Sequence, residues 1–291
     1  MMQMRLGVWG GLVCACCVLV GAGAERAWGE QENAEQAKEG ALGALYRAHI
    51  DAFNRKDAKA FFGMYAPSVC FHNDKVTPAD MEATYAKHFS GAGEPVEVKY
   101  IHVLLESATE ARLWVVYTHG KRPVTRVLAL TKGATGWQIT TETNPMRLKC
   151  APDILKGLPD DMSAIITATA NQIQALGEVL DGKKMVENLS WEGLYCPKGY
   201  AVDVDGWSDH DIGKDGELEF YCMVSEVTCR HETDREKYIF DDPAVTYYQE
   251  VNYHPQCDGN AGQFQDAWLS LKMRGEDVFT VGVERPYPLS P

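Results

Sequence analysis

Four polar side chains fall at positions that the periodicity of the chain assigns to a core. Tyr46 and His49 share a helical stripe with Leu42, Leu45, Ile50 and Phe53 at three- and four-residue steps. His102 alternates with Val98, Tyr100 and Leu104, and Arg126 with Val124, Leu128 and Leu130. Burying such groups demands partners, so each is either satisfied inside the core or aimed at something bound. A guanidinium keeps its charge and must meet a carboxylate or a ligand anion. Paired with Glu142 or Asp51, Arg126 is structural; facing an open cavity, it points to an acidic ligand. Tyr65 and Trp114, the latter sharing a face with Arg112 and Val116, complete the expected ligand-binding set. General acid–base chemistry would draw on Tyr46, His72, Asp74 and His102, because histidine titrates near neutrality and an apolar setting raises a carboxylate toward it. A satisfied core position is the plainer reading of His49, His102, Tyr46 and Trp114.

The elements that must position these residues are legible in chain order. A long amphipathic helix ends near Asn54. Asp57 caps a second, short helix that Pro67 stops, and Ser68 to His72 reads as a strand. Thr77, Pro78 and Asp80 mark the cap, first turn and capping-box partner of a third helix, with Met81, Tyr85, His88 and Phe89 on its buried stripe and Gly91 at its end. From Pro95 the period changes to two, giving strands at Val96 to Glu106, Ala111 to His119, Val124 to Thr131 and Trp137 to Thr143 joined by hairpin-length turns.

Helix, helix, strand, helix and an antiparallel meander, with Ala52-Phe53-Asn54-Arg55-Lys56-Asp57 closing the first helix, Tyr65-Ala66-Pro67 after the second and Gly136-Trp137-Gln138-Ile139 opening the last strand, resembles the SnoaL-like and DUF4440-like branches of the NTF2-like superfamily. The resemblance covers residues 38–145. It implies an α+β cone, three helices packed in a curved antiparallel sheet, whose open end often holds a small molecule and whose outer sheet face often dimerises. The superfamily includes isomerases, dehydratases, cyclases, dimerisation modules and ligand-binding domains, so the fold does not choose the function. No Asp lies in the four long strands, so the tyrosine-plus-two-acids arrangement of the steroid isomerases is not visible, which lowers the weight of catalysis. Nucleophile elbows, phosphate loops and His-Glu-x-x-His are absent from the sequence, and no cofactor is expected.

Residues 146–159, with two prolines in the surrounding stretch, read as a linker to a second α+β domain at 160–291. This domain has one long helix from Asp160 to Gly182 and a mainly antiparallel sheet. Two metal readings arise there. Asp209, Asp211 and Asp215 are weak metal candidates: Asp211, Gly213, Asp215 and Gly216 partly follow a calcium loop, but Cys222 occupies the twelfth position, so a solvated acidic turn is preferred. Cys222, Cys229, His231 and Cys257 lack a usual zinc spacing, and disulfides among Cys196, Cys222, Cys229 and Cys257 are expected instead. Cys70 stands apart and reads as a buried free thiol.

Arg5, the uncharged run Leu6 to Val20 and Ala22-Gly23-Ala24 form a signal peptide over residues 1–24, followed by a charged lead-in at 25–37. Export of a bacterial type, to the periplasm or medium, follows, with lipid anchoring at Cys16 as a minor alternative and no transmembrane helix after cleavage. The net charge of -13 excludes nucleic acid as a partner. The leading expectation is a non-catalytic protein binding a small molecule or partner. An acid–base enzyme and a homodimerisation module working through the sheet face are the alternatives.

Overall fold

The computed structural model describes residues 40–286 apart from 190, 192, 213–215, 217 and 260–263. The expected signal peptide, its cysteines and the expected lead-in lie outside the described residues. The chain is a mixed α+β structure built on two sheets.

Helix α1 (40–54) buries Leu42, Tyr46, His49, Ile50 and Phe53 on the stripe that their spacing demands. Asn54 then pins its end to the sheet: the side-chain amide donates to the Val96 carbonyl (2.7 Å) and its oxygen accepts from the Val96 N–H (2.8 Å). Helix α2 (Ala58–Phe62) is capped by the Asp57 carboxylate, which accepts from the Ala60 N–H. Helix α3 (Pro78–Lys87) starts with the full Thr77–Asp80 capping box and Pro78 in its first turn.

The first sheet has the order β2-β1-β6-β5-β4-β3. Its strands are β1 (Tyr65–Phe71), β2 (Asp74–Val76), β3 (Val96–Glu106), β4 (Glu110–His119), β5 (Arg122–Gly133) and β6 (Gly136–Thr143). The sheet is not purely antiparallel, because β1 runs parallel to β6. His72 and Asn73, with φ of 49° and 85°, make the two-residue turn that returns β1 into β2.

On the inner face, Leu113, Val115, Leu128, Leu130 and Ile139 form one core with α1–α3. On the outer face, Trp114, Val116 and Val127 form a second core with α4 (Asp160–Leu180) and the second sheet. That sheet has the order β11-β10-β9-β8-β7 and is antiparallel throughout: β7 (Tyr200–Ile212), β8 (Leu218–His231), β9 (Tyr247–Gly259), β10 (Phe264–Met273) and β11 (Glu276–Pro286). Gln249 of β9 fixes the middle layer, donating to Thr169 of α4 (2.6 Å) while accepting from the Tyr195 N–H (2.8 Å). The layers run helices, sheet, α4, sheet.

Residues 144–159 are held in place at several points. Leu148, Ala151, Leu155 and Leu158 pack on the outer core, and Arg112 donates to the carbonyls of Ile154 (2.9 Å) and Lys156 (2.7 Å). Cys150 is disulfide-bonded to Cys70, with Cα atoms 5.8 Å apart, so Cys70 is not the free thiol that its isolation in the sequence suggests. Its partner comes from the covering segment, 80 residues on. Cys196 pairs with Cys229, which removes Cys229 from any zinc set. Cys222 and Cys257 are register partners across β8 and β9.

The acidic run after Asp203 is largely strand rather than turn. Asp203 and Asp205 pair with Arg230 across β7 and β8, and Asp209 and Asp211 continue the same ladder opposite Cys222 and Phe220. Asp215 lies outside the described residues.

Candidate functional site

The helix-filled face of the first sheet encloses a polar cluster within an aromatic wall. Tyr65, at the start of β1, donates its hydroxyl to Glu142 Oε2 of β6 (2.6 Å), and His49 Nε2 lies 3.2 Å from the same hydroxyl. Because the Tyr65 proton is committed to Glu142, its oxygen accepts from His49, which places the imidazole proton on Nε2 and leaves Nδ1 a bare acceptor. That Nδ1 is buried without a hydrogen-bond partner, as is the Tyr46 hydroxyl one turn earlier on α1. The His49 ring stacks on Phe61, with centroids 4.2 Å apart.

Arg126 joins this cluster from β5. It shares strand parity with Leu128 and Leu130, both in the inner core, and its charge acts on Tyr46, Tyr85, Tyr117 and Glu142. Its Nη1 donates to the carbonyl of Thr125 (2.8 Å), and its Nε is buried with no partner. Glu142 is near enough to feel Arg126, yet the two make no ion pair, and Asp51 is exposed on α1. Arg126, Tyr85 and Tyr117 are half-buried, while Tyr46, His49, Tyr65 and Glu142 are buried beneath them.

Burial sets the proton chemistry. It holds His49 down to about 3, so the imidazole is neutral at physiological pH. It pushes the Glu142 carboxyl up, against the lowering influence of the Tyr65 hydrogen bond and of Arg126. Tyr46 and Tyr65 are raised well above the ordinary phenol value by the same desolvation, and Tyr117 is pushed up to about 12. The arrangement therefore offers one permanent cation, a carboxyl able to hold or release a proton, and phenols restricted to donating and accepting hydrogen bonds.

Tyr46, His49, Tyr65 and Arg126 of the expected set come together. His102 and Trp114 do not. A bulge at Lys99 shifts the register between Val98 and Tyr100, turning Tyr100 and His102 to the outer face. There Tyr100 and Trp114 pack against Phe279 of β11, and Trp114 donates to Thr125 (2.9 Å). Tyr100 and His102 bond to each other (3.1 Å). His72 sits exposed in the β1–β2 turn, its N–H donating to the Glu142 carbonyl (3.2 Å), and Asp74 is exposed on β2. Of the four acid–base candidates, only Tyr46 lies within the cluster.

Glu142, which the sequence offers only as a possible partner of Arg126, is the acid of the cluster. Counting by two from Trp137 and Ile139 places it outside. A register shift at Thr140 pairs Leu130 with Ile139 but Leu128 with Glu142, so the carboxylate turns inward. A separate groove of about 370 Å³ lies on the outer side, between β4–β6 and the segment around Cys150, and contains none of the expected ligand-binding or acid–base residues.

The element order, the helices on one face and the parallel β1–β6 closure give residues 40–143 the arrangement that the sequence motifs resemble. It is the element order that the resemblance to the NTF2-like superfamily implies. Solved structures similar to the chain include an NTF-2 like protein of unknown function from Shewanella oneidensis MR-1, at 18% identity and a TM-score of 0.30, covering 35% of this chain and 93% of that one. Another is a domain of unknown function with a cystatin-like fold from Nostoc punctiforme, at 19% identity and 0.30, covering 47% and 97%. A third is a protein of unknown function of the DUF3225 family from Pectobacterium atrosepticum, at 12% identity and 0.30, covering 35% and 84%. Two more are named for proposed dehydratase and ketosteroid isomerase activities. No family model and no curated protein matches the chain.

Proposed function

We propose that this is an exported binding protein whose NTF2-like half takes up a small molecule bearing an acidic group. The acid is held by Arg126 at the mouth, and its apolar body lies against the ring wall above Tyr46 and Glu142. The observation that carries the reading is Arg126, a partly buried guanidinium whose Nη1 donates only to a backbone carbonyl, whose Nε has no hydrogen-bond partner, and which makes no ion pair with a carboxylate among the described residues. The two disulfides agree with an oxidising compartment.

Thermal unfolding with millimolar benzoate, cinnamate and the matching neutral amides tests this. A carboxylate stabilises wild type as its concentration rises and leaves Arg126→Met unmoved. Equal responses of the two proteins, or no response to any carboxylate, would contradict it.

The Tyr65–Glu142 pair supports a second reading, an isomerase, dehydratase or cyclase in which Glu142 moves a proton and Tyr46 stabilises developing negative charge. In that case Glu142→Gln abolishes turnover while retaining ligand binding. A homodimer through the outer sheet face is disfavoured, because α4 and β11 already cover Trp114, Val116 and Val127.

A further inference from the structure

The second sheet carries a flat aromatic site on the face opposite α4. Val251 and Tyr253, Ala267 and Leu269, and Val281 and Val283 all pack into the core around α4. The residues between them, Asn252, Trp268 and Gly282, therefore share the other face. Register sets them side by side on β9, β10 and β11, and Glu226 of β8 continues the row opposite Asn252.

Gly282 shapes this row. A Cβ there would collide with the Trp268 indole, so the ring lies across the glycine backbone. His254 meets the indole edge-on, with centroids 4.9 Å apart, and is itself held by Asp266 through Nδ1 (2.7 Å). Trp268 remains half-buried.

Charge selects the ligand class. The described lysine and arginine on the strands of this face are each engaged, Lys272 with Glu250 (3.4 Å) and Asp277 (2.9 Å) and Arg230 with Asp203 and Asp205. An anionic ligand finds no free cation among them. What the row offers is an apolar plane flanked by an amide and a carboxyl, which matches a molecule with one C–H-rich face and a rim of hydroxyls. We propose that this face binds a neutral saccharide, with a pyranose ring stacked on Trp268 and its hydroxyls bonded to Asn252 and Glu226.

Calorimetric titration of the purified protein with cellohexaose, maltohexaose and chitohexaose, and separately with hexalysine, tests the proposal. At least one hexasaccharide binds with a Kd below about 1 mM. Trp268→Ala and Gly282→Ala each weaken that binding at least about tenfold, whereas Arg126→Met leaves it unchanged, which separates this site from the acidic-ligand site. Unchanged melting curves show that both variants remain folded; should Gly282→Ala melt early, Trp268→Phe, which keeps a ring of lower area, gives an intermediate loss. The proposal is overturned if none of the three sugars binds, if binding survives Trp268→Ala, or if hexalysine alone binds.

Discussion

His49 shows how much one buried side chain decides. Its imidazole is held neutral by desolvation alone, down to about 3 against about 6.5 in an unfolded chain. Between those values the unfolded state carries a proton at this position that the native state does not, so stability rises with pH across the window and falls as the pH drops through 6.5. From pH 6.5 to 4.5 the loss amounts to about 2 to 3 kcal/mol. Glu142 works in the opposite sense: its raised native value stabilises below the ordinary carboxyl range and is lost as pH rises. Urea unfolding at the two pH values therefore shows a shallower pH dependence for His49→Phe than for wild type. An unchanged slope would mean that His49 is solvated.

At the scale of elements, the register shifts at Lys99 and Thr140 explain what could and could not be read from the sequence. The helix starts follow their signals, with Asp57, Thr77, Pro78 and Asp80 acting in the structure as their types require, whereas Pro67 does not stop the second helix, which ends at Phe62, and lies instead inside β1. The α1 stripe carried Tyr46 and His49 to the interior for the same reason. Strand parity failed wherever one residue was inserted. Lys99 sent His102 outward with Trp114, and Thr140 sent Glu142 inward. Alternation has a period of two, so a single extra residue reverses every assignment after it, and composition gives no warning. The Cys70–Cys150 bond was hidden differently, because its partners are 80 residues apart and meet only once residues 144–159 fold back. The chain-entropy account assigns a loop of that length about 4 kcal/mol. Denaturant melts of the Cys70→Ala/Cys150→Ala double variant should show a loss of that order, and one below about 1 kcal/mol would indicate that packing of Leu148, Ala151 and Leu155 already fixes the segment.

For the whole molecule, the two halves share the outer core. The sequence divides at residues 146–159, but Trp114, Val116 and Val127 of the first half share a core with Ile166, Leu176 and Phe279 of the second. We propose that they fold as one unit. Residues 38–145 expressed alone should expose that apolar face and self-associate or precipitate, whereas residues 38–291 remain dispersed. A stable monomeric fragment at micromolar concentration in sedimentation velocity would show that the division is also a folding boundary. The same covering layer closes the outer face of this sheet to a partner along Trp114, Val116 and Val127.

Native mass spectrometry of the protein, purified without denaturation, tests the central claim most directly. Wild type should carry a small acidic molecule as a non-covalent adduct, and Arg126→Met, prepared in parallel, should be recovered at its own sequence mass. Wild type recovered without an adduct, or the same adduct retained by Arg126→Met, would contradict the assignment of Arg126 as the anchor of a bound acid.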